Sequence, residues 1–248
     1  MARAKHIPRV FVTQALAEGA TIELPDDKRH HLATVLRLSA GDALVLFNGD
    51  GAEYAATLTT ADRKRAEARI DQRTTPARES PLEITLLQAV ARGDRMDFAL
   101  SKAVELGVTA IQPVFTARGQ VKLDGARLTK KQGHWQRIVE SAAEQSGRLI
   151  CPPLLDAVDL SDCLQAPADA ERRLMLAPEA AAGLQAQAPA TRIALLIGPE
   201  SGLSNDEIER ATAAGWQALA LGPRILRTET AGMAALAALQ TAWGDLAG

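Results

Sequence analysis

The sequence predicts two domains: a small β-rich one, then a larger α/β one with a mostly parallel sheet. Three observations carry this reading. Before residue 74 the chain is a series of short β-prone runs broken by turn signals. From Glu83 onward strand-like and helix-like stretches alternate, the pattern of strands joined by crossover helices. Between them Thr74-Thr75-Pro76-Ala77-Arg78-Glu79-Ser80-Pro81 has no periodicity and two prolines, and marks a linker over 74–81. The domains are then 1–73 and 82–248. A chain of 248 residues, 47% of them hydrophobic, supplies apolar side chains for both cores.

In the first domain, 9–12 and 43–47 read as strands. Asn48-Gly49-Asp50-Gly51 is a turn, and 53–58 returns from it as the second arm of a hairpin. Residues 65–70 add another strand. Apolar residues at 32, 35, 36 and 38 place one short helix over 30–38. The pattern is that of a small barrel.

In the second domain, 83–90 is a strand and 95–106 a helix. The helix has apolar positions at Met96, Ala99, Leu100, Ala103, Val104 and Leu106, with Gly107 as its C-cap. A strand at 110–115 and a long helix over 128–146 follow, then strands at 174–177 and 193–197. The Ala-, Gln- and Pro-rich stretch 178–191 reads as partly a loose surface helix. Ser204-Asn205-Asp206-Glu207 is a capping box that opens a helix to Gly215. A strand at 217–221 and a helix over 229–243 complete the chain. There is no internal repeat.

The bulk numbers bound the function. The net charge is −2, and residues 1–75 hold 11 Lys or Arg against 10 Asp or Glu. Such a balance argues against a general nucleic-acid binder and leaves room for a specific RNA enzyme with a local patch. With 3% aromatic residues, an aromatic stacking platform for single strands is not expected. Cys151 and Cys163 lack the spacing and His partners of a zinc site and read as a reduced pair, so no metal is expected. The first 12 residues have no apolar signal core, and no apolar run reaches the roughly 18 residues of a membrane helix. The chain reads as cytoplasmic.

Two loops in the last quarter stand out. The apolar run Ile193-Ala194-Leu195-Leu196-Ile197 ends in Gly198-Pro199-Glu200-Ser201-Gly202. The run Ala218-Leu219-Ala220-Leu221 ends in Gly222-Pro223-Arg224-Ile225-Leu226-Arg227-Thr228-Glu229-Thr230. Ligands in open α/β sheets sit at the carboxyl ends of strands, so two such loops suggest one site built from both. The first loop is neither a P-loop nor a GxGxxG dinucleotide fingerprint, which sets aside a Rossmann-type oxidoreductase. Taken alone, it reads equally as a plain strand-to-helix connector.

These loops resemble the cofactor loops of the SPOUT class of RNA methyltransferases. The nearest resemblance is to the ribosomal small subunit methyltransferase E family, the 16S rRNA uracil-N3 methyltransferases. It extends over nearly the whole chain. Near the start it rests on Pro8-Arg9-Val10-Phe11-Val12, His30-His31-Leu32, Val35-Leu36-Arg37-Leu38 and Gly41-Asp42. In the middle it rests on Asp94-Arg95-Met96-Asp97, Lys102-Ala103-Val104-Glu105-Leu106-Gly107-Val108, Trp135-Gln136-Arg137-Ile138 and Ala142-Ala143-Glu144-Gln145-Ser146-Gly147-Arg148. The resemblance implies a PUA-like RNA-binding barrel, a SPOUT domain with a deep trefoil knot, S-adenosyl-L-methionine as cofactor and a homodimer in which one subunit's barrel serves its partner's site. It also implies the 16S rRNA of the small ribosomal subunit as substrate. One departure is Ser201, where the family usually has a second glycine after the Glu. The added Cβ and hydroxyl either crowd the pocket or donate a hydrogen bond.

On this resemblance the cofactor-binding residues are Leu176, Ile197, Gly198, Pro199, Glu200, Gly202, Leu221, Gly222, Ile225 and Leu226. Glycines let main-chain groups approach a ligand, and Ile225 and Leu226 are apolar where a loop would be polar. The competing reading of that apolar pair is core closure beneath the loop. Methylating uracil N3 removes its imide proton and spreads negative charge onto the ring oxygens. Arg227 is the candidate to stabilise that charge, and Glu229 the candidate proton acceptor. A bland alternative for Glu229 is a favourable carboxylate in a first helical turn. Arg224 is a further polar candidate. RNA-binding candidates are Arg9, His30, His31, Arg37, Arg92, Arg95 and Arg148, each weighed against an ordinary solvated surface. Glu105, Glu140 and Glu144 lie on helices that match family motifs; Glu140 and Glu144 read better as helix-face or ion-pair residues, while Gln145-Ser146-Gly147-Arg148 reads equally as touching substrate. The rivals are a SPOUT enzyme acting on a ribose 2′-hydroxyl or a guanine, and a non-catalytic RNA-binding or ribosome assembly factor.

Overall fold

The structure is a computed structural model that describes residues 7–62, 64–121, 123–165 and 167–247. Residues 1–6, the start of the segment read above as lacking a signal core, lie outside the described residues. The chain forms two compact units. The first is Met1–Glu79 with Ala143–Cys151, and the second is Ser80–Ala142 with Pro152–Gly248.

The first unit is a five-stranded sheet in the order β1-β3-β4-β5-β2. Its strands are β1 (Arg9–Phe11), β2 (Thr21–Glu23), β3 (Ala43–Phe47), β4 (Glu53–Ala61) and β5 (Ala66–Thr74). β1 and β3 are parallel, and the other pairs antiparallel. Alternate residues of β4, Tyr54, Ala56 and Leu58, point into a core with Val10, Leu44, Leu46 and Ile70. Register shifts after Ala55 and Leu58 interrupt the β4–β5 ladder, the irregularity that bends a strand. β2 escaped the sequence reading because three residues are too few to show a period. β5 runs past Ile70 because Thr74 still pairs with Glu53, so the irregular segment begins at Thr75 rather than at 74.

The expected helix over 30–38 also differs. α1 (Asp26–His30) starts earlier, and a π-helical turn over His31–Val35 continues it. Pro25 precedes the first turn, and Asp26 and Asp27 sit where the helix dipole favours carboxylates. That turn carries no apolar periodicity, so the sequence hid it.

Residues 143–151 join this unit through carboxylates. Glu144 Oε1 accepts from the Phe11 amide at 3.0 Å and from Lys28 Nζ at 2.7 Å. Glu79 accepts from Arg148 Nη2 at 2.6 Å and from the amides of Leu149 and Ile150 at 2.8 and 3.2 Å.

The second unit is a six-stranded, all-parallel sheet in the order β11-β9-β10-β6-β7-β8. Its strands are β6 (Glu83–Ala89), β7 (Ala110–Phe115), β8 (Val158–Asp159), β9 (Arg172–Leu176), β10 (Arg192–Ile197) and β11 (Gln217–Leu219). The central strands are buried on both faces, so β6 and β10 read as near-continuous apolar runs. The helices are α2 (Asp94–Glu105), α3 (Gly125–Ser146), α4 (Leu160–Cys163), α5 (Asn205–Ala213) and α6 (Thr228–Trp243). Leu160, Leu164, Leu203 and Trp216 pack with Leu87, Met175 and Leu196 on one side of the sheet. Trp216 Nε1 donates to the Leu164 carbonyl at 2.8 Å.

The stretch 178–191 contains only a 3₁₀ turn over Leu184–Ala186, not the expected surface helix; two prolines and a glycine limit its reach. Cys151 and Cys163 are both free thiols, and burial pushes the Cys163 thiol up to about 11. Among the described residues no helix is long and apolar enough to cross a membrane.

Candidate active site

The carboxyl ends of β9, β10 and β11 lie side by side. β10 and β11 are consecutive strands in the second half of the chain, yet β9 sits between them. The connection from β10 therefore skips a strand, and the loops after β10 and β11 flank the loop after β9. Such a reversal of strand order opens a crevice at the strand ends, where α/β proteins bind ligands. The loops after β9 and β11 are themselves joined: the Ala220 amide donates to Ala182 at 2.9 Å, and the Ala177 amide donates to Leu219 at 3.1 Å.

The predicted cofactor residues divide by burial. Leu176, Gly198, Leu221 and Leu226 are half-buried, and Pro199 is buried. Ile197 is fully buried, so it can offer a ligand only its main chain. Gly202 and Gly222 both hold φ +73°, a left-handed conformation suited to glycine. A Cβ built on either would meet nothing within 4 Å, so both face open space. Ile225 is 86% exposed, which removes core closure as the reason for its apolar side chain. Open glycine turns beside uncovered and half-covered apolar side chains fit a flat aromatic base with a thioether tail.

Behind these loops is a buried polar chain that sequence reasoning missed. Gln88 Nε2, at the end of β6, donates to Thr228 Oγ1 at 3.0 Å. Thr228 Oγ1 donates in turn to the Gly198 carbonyl at 2.7 Å. Both side chains are buried. The chain ties the first turn of α6 to the loop after β10. Gln88 had a signal, an amide within an apolar strand; Thr228 had none, since a threonine in a first helical turn is ordinary.

Ser201 does not crowd the crevice. Its Oγ donates to the Arg118 carbonyl at 2.8 Å, and Arg118 Nη1 donates to the Leu203 carbonyl at 3.1 Å. The hydroxyl thus fastens this loop to the segment after β7.

Arg227 is exposed at the N-cap of α6, and neither it nor Arg224 has a side-chain partner among the described residues. The Glu229 side chain is 13% exposed; its Oε1 lies 4.0 Å from Arg95 Nε. Its Oε2 is buried with no hydrogen-bond partner. Arg95 Nη1 also donates to Glu200 at 2.8 Å, so one guanidinium links two carboxylates of the predicted site.

Two of the expected RNA contacts, Arg9 and Arg148, sit in ion pairs of the first unit. The Arg9 side chain is 12% exposed, pairs with Glu53 and lies over the Phe47 ring. The Arg148 side chain is 7% exposed and pairs with Glu79. Both are part-buried ion pairs within the first unit. His30, His31 and Arg37 are exposed, and Arg37 has φ 54°, the positive φ of a non-glycine residue. Arg92 is exposed and donates to Gln120 at 3.1 Å. Glu144 is the ion-pair residue the sequence favoured, and Glu105 likewise pairs with Lys102 at 2.7 Å.

Comparisons with known proteins place the chain in a family. The family model for the RNA methyltransferase domain matches residues 78–240, and that for the RNA methyltransferase PUA domain matches residues 24–71. The chain is 30% identical over 242 residues to the ribosomal RNA small subunit methyltransferase E of Buchnera aphidicola subsp. Acyrthosiphon pisum, covering 97% of this chain and 96% of that one. A crystal structure of the same enzyme from Neisseria gonorrhoeae, bound to S-adenosyl methionine, superposes with a TM-score of 0.91 at 44% identity, covering 97% of this chain and 100% of that one. A putative methyltransferase from Legionella pneumophila, in complex with the same cofactor, superposes at 0.94 with 38% identity and the same coverage.

The fold and the site define an RNA methyltransferase with an N-terminal PUA domain and a C-terminal SPOUT domain. Within that class, the chain belongs to the ribosomal RNA small subunit methyltransferase E family.

Proposed function

We propose that this protein methylates N3 of a specific uridine in 16S rRNA, on the small ribosomal subunit. The observation that carries the reading is the crevice at the ends of β9, β10 and β11, with open glycine turns, an uncovered Ile225 and an unpartnered Arg227 at its rim. S-adenosylmethionine supplies an activated methyl group on a sulfonium. Leu176, Leu221, Ile225 and Leu226 form its apolar wall, while Ile197, Gly198, Pro199, Glu200, Gly202 and Gly222 line it from the two loops.

The remaining chemistry belongs to the chain. The Arg227 guanidinium holds the negative charge that spreads onto the uracil oxygens as N3 loses its proton. The Glu229 carboxylate takes that proton; its half-buried position with one free oxygen supports the role. His30, His31 and Arg37 of the barrel, with Arg92 and Arg95 of the larger unit, contact RNA. The protein works as a cytoplasmic homodimer, and its C-terminal segment is threaded as a trefoil knot.

The test uses small subunits that lack the modification. Incubation with the protein and S-adenosylmethionine yields 3-methyluridine in the digested RNA. A methyl group on ribose or guanine instead would establish the rival target. No transfer despite cofactor binding would establish the assembly-factor reading. Arg227→Ala lowers turnover about 100-fold or more, the scale for losing one charge-stabilising donor, with cofactor affinity unchanged by calorimetry.

A further inference from the structure

The first half of α3 carries a charge pattern that the catalytic site leaves unexplained. Residues 125–139 contain Arg127, Lys130, Lys131 and Arg137 and no Asp or Glu, in a chain with 30 acidic and 28 basic residues. Solvated helices commonly interleave both signs in i,i+4 pairs. Here the first carboxylate is Glu140. At 3.6 residues per turn, 127, 130, 131, 134 and 137 fall on one side of the helix. Trp135 and Val139, both buried, fall on another. Arg127, Lys130 and Arg137 are exposed and Lys131 is half-buried. None of the four has an ion pair or a side-chain hydrogen bond among the described residues.

This row leads toward the site. His134, in its middle, is hydrogen-bonded to Asp97 of α2 at 2.7 Å. Two residues before Asp97 is Arg95, whose guanidinium reaches Glu200 and Glu229. Arg92, at the entry to α2, bonds Gln120 in the segment just before α3.

We infer that this face of α3 is a phosphate-binding surface that guides the RNA backbone into the methyl-transfer site. The inference rests on the reading of the protein as an RNA methyltransferase. From residue 127 to 137 the row spans about 15 Å, several phosphates long. Phosphate contacts position RNA and carry no sequence information, so the surface supplies affinity and orientation, not choice of uridine.

The test compares the full-length protein with Arg127→Gln/Lys130→Gln/Lys131→Gln/Arg137→Gln, since glutamine keeps helix propensity and removes charge. Affinity for small-subunit ribosomal RNA is measured across a salt series. In the variant the slope of log K against log salt becomes shallower by about 0.7 for each phosphate no longer neutralised, so by up to about 3. KM for the small subunit rises at least about tenfold, while kcat at saturation and cofactor affinity stay at the wild-type values. Should the fourfold variant fail to fold, Lys130→Gln/Lys131→Gln and Arg127→Gln/Arg137→Gln each show about half the change in slope. An unchanged slope and KM, with cofactor binding intact, overturns the inference. Wild-type protein that binds RNA steeply with salt but transfers no methyl group defeats the functional reading instead, and the slope comparison still decides the surface.

Discussion

Thr228 Oγ1 accepts from Gln88 and donates to the Gly198 carbonyl, so one hydroxyl sets where α6 begins relative to the loop after β10. Losing it leaves the Gly198 carbonyl without this donor and the Gln88 amide with only the Ala89 carbonyl at 3.1 Å, a cost of about 1–3 kcal/mol. Thr228→Val keeps the shape and removes the hydrogen bonds; cofactor affinity by calorimetry falls about tenfold, while Thr228→Ser restores it. Equal affinity in all three proteins would relieve Thr228 of any part in shaping the loop. Ser201 belongs to the same scale. Its hydroxyl is engaged by Arg118, so the natural chain binds S-adenosylmethionine, and Ser201→Gly changes that affinity by no more than a few-fold. Tight binding only after the substitution would mean that this side chain does obstruct the crevice. Neither interaction was readable beforehand. Local periodicity shows that a residue lies in a loop or a first turn, and nothing about a carbonyl 30 or 83 positions away.

At the scale of elements, reading from sequence worked where a long apolar period or a cap was present. α2, α6 and the strands β6, β7 and β10 begin and end within one residue of the expected bounds. The Ser204–Glu207 box is formed in both directions: the Glu207 amide donates to Ser204 Oγ at 3.2 Å, and Ser204 N donates to Glu207 Oε2 at 2.7 Å. Glu207 Oε1 further accepts from the Ala117 amide at 2.7 Å, which couples the cap to the segment after β7. Ser204→Ala therefore lowers unfolding free energy by about 1 kcal/mol in chemical denaturation. No measurable loss would mean that α5 is held by Ala211 and its packing alone. Elements without periodicity were missed, namely β2, the polar first turn of α1, and the short β8–α4 pair. Two or three residues cannot display a repeat, and a solvent-facing turn has no apolar stripe to display.

For the whole molecule, the first unit is assembled from two distant stretches of chain, 1–79 and 143–151. Glu79 is their clasp, taking the Arg148 guanidinium and two main-chain amides on one carboxylate. Removing Glu79 strands the nearly buried Arg148 guanidinium and leaves two main-chain amides without their acceptor, at a cost of about 1–3 kcal/mol. Glu79→Ala is thus expected to lower the melting temperature by many degrees. A melting curve that matches the wild type would show that this carboxylate does not hold the unit. The sequence, by itself, determined the division into a β-rich and an α/β part, the mostly parallel sheet, and the two Gly-Pro loops whose resemblance names the family, because each is written in local period or in a contiguous motif. Only the tertiary structure decided that Arg9 pairs with Glu53 and Arg148 with Glu79, that Ser201 faces Arg118, and that Gln88 and Thr228 stand behind the site. Those outcomes depend on which side chains from remote parts of the chain meet, and burial raises the cost of every charge or amide left unpartnered.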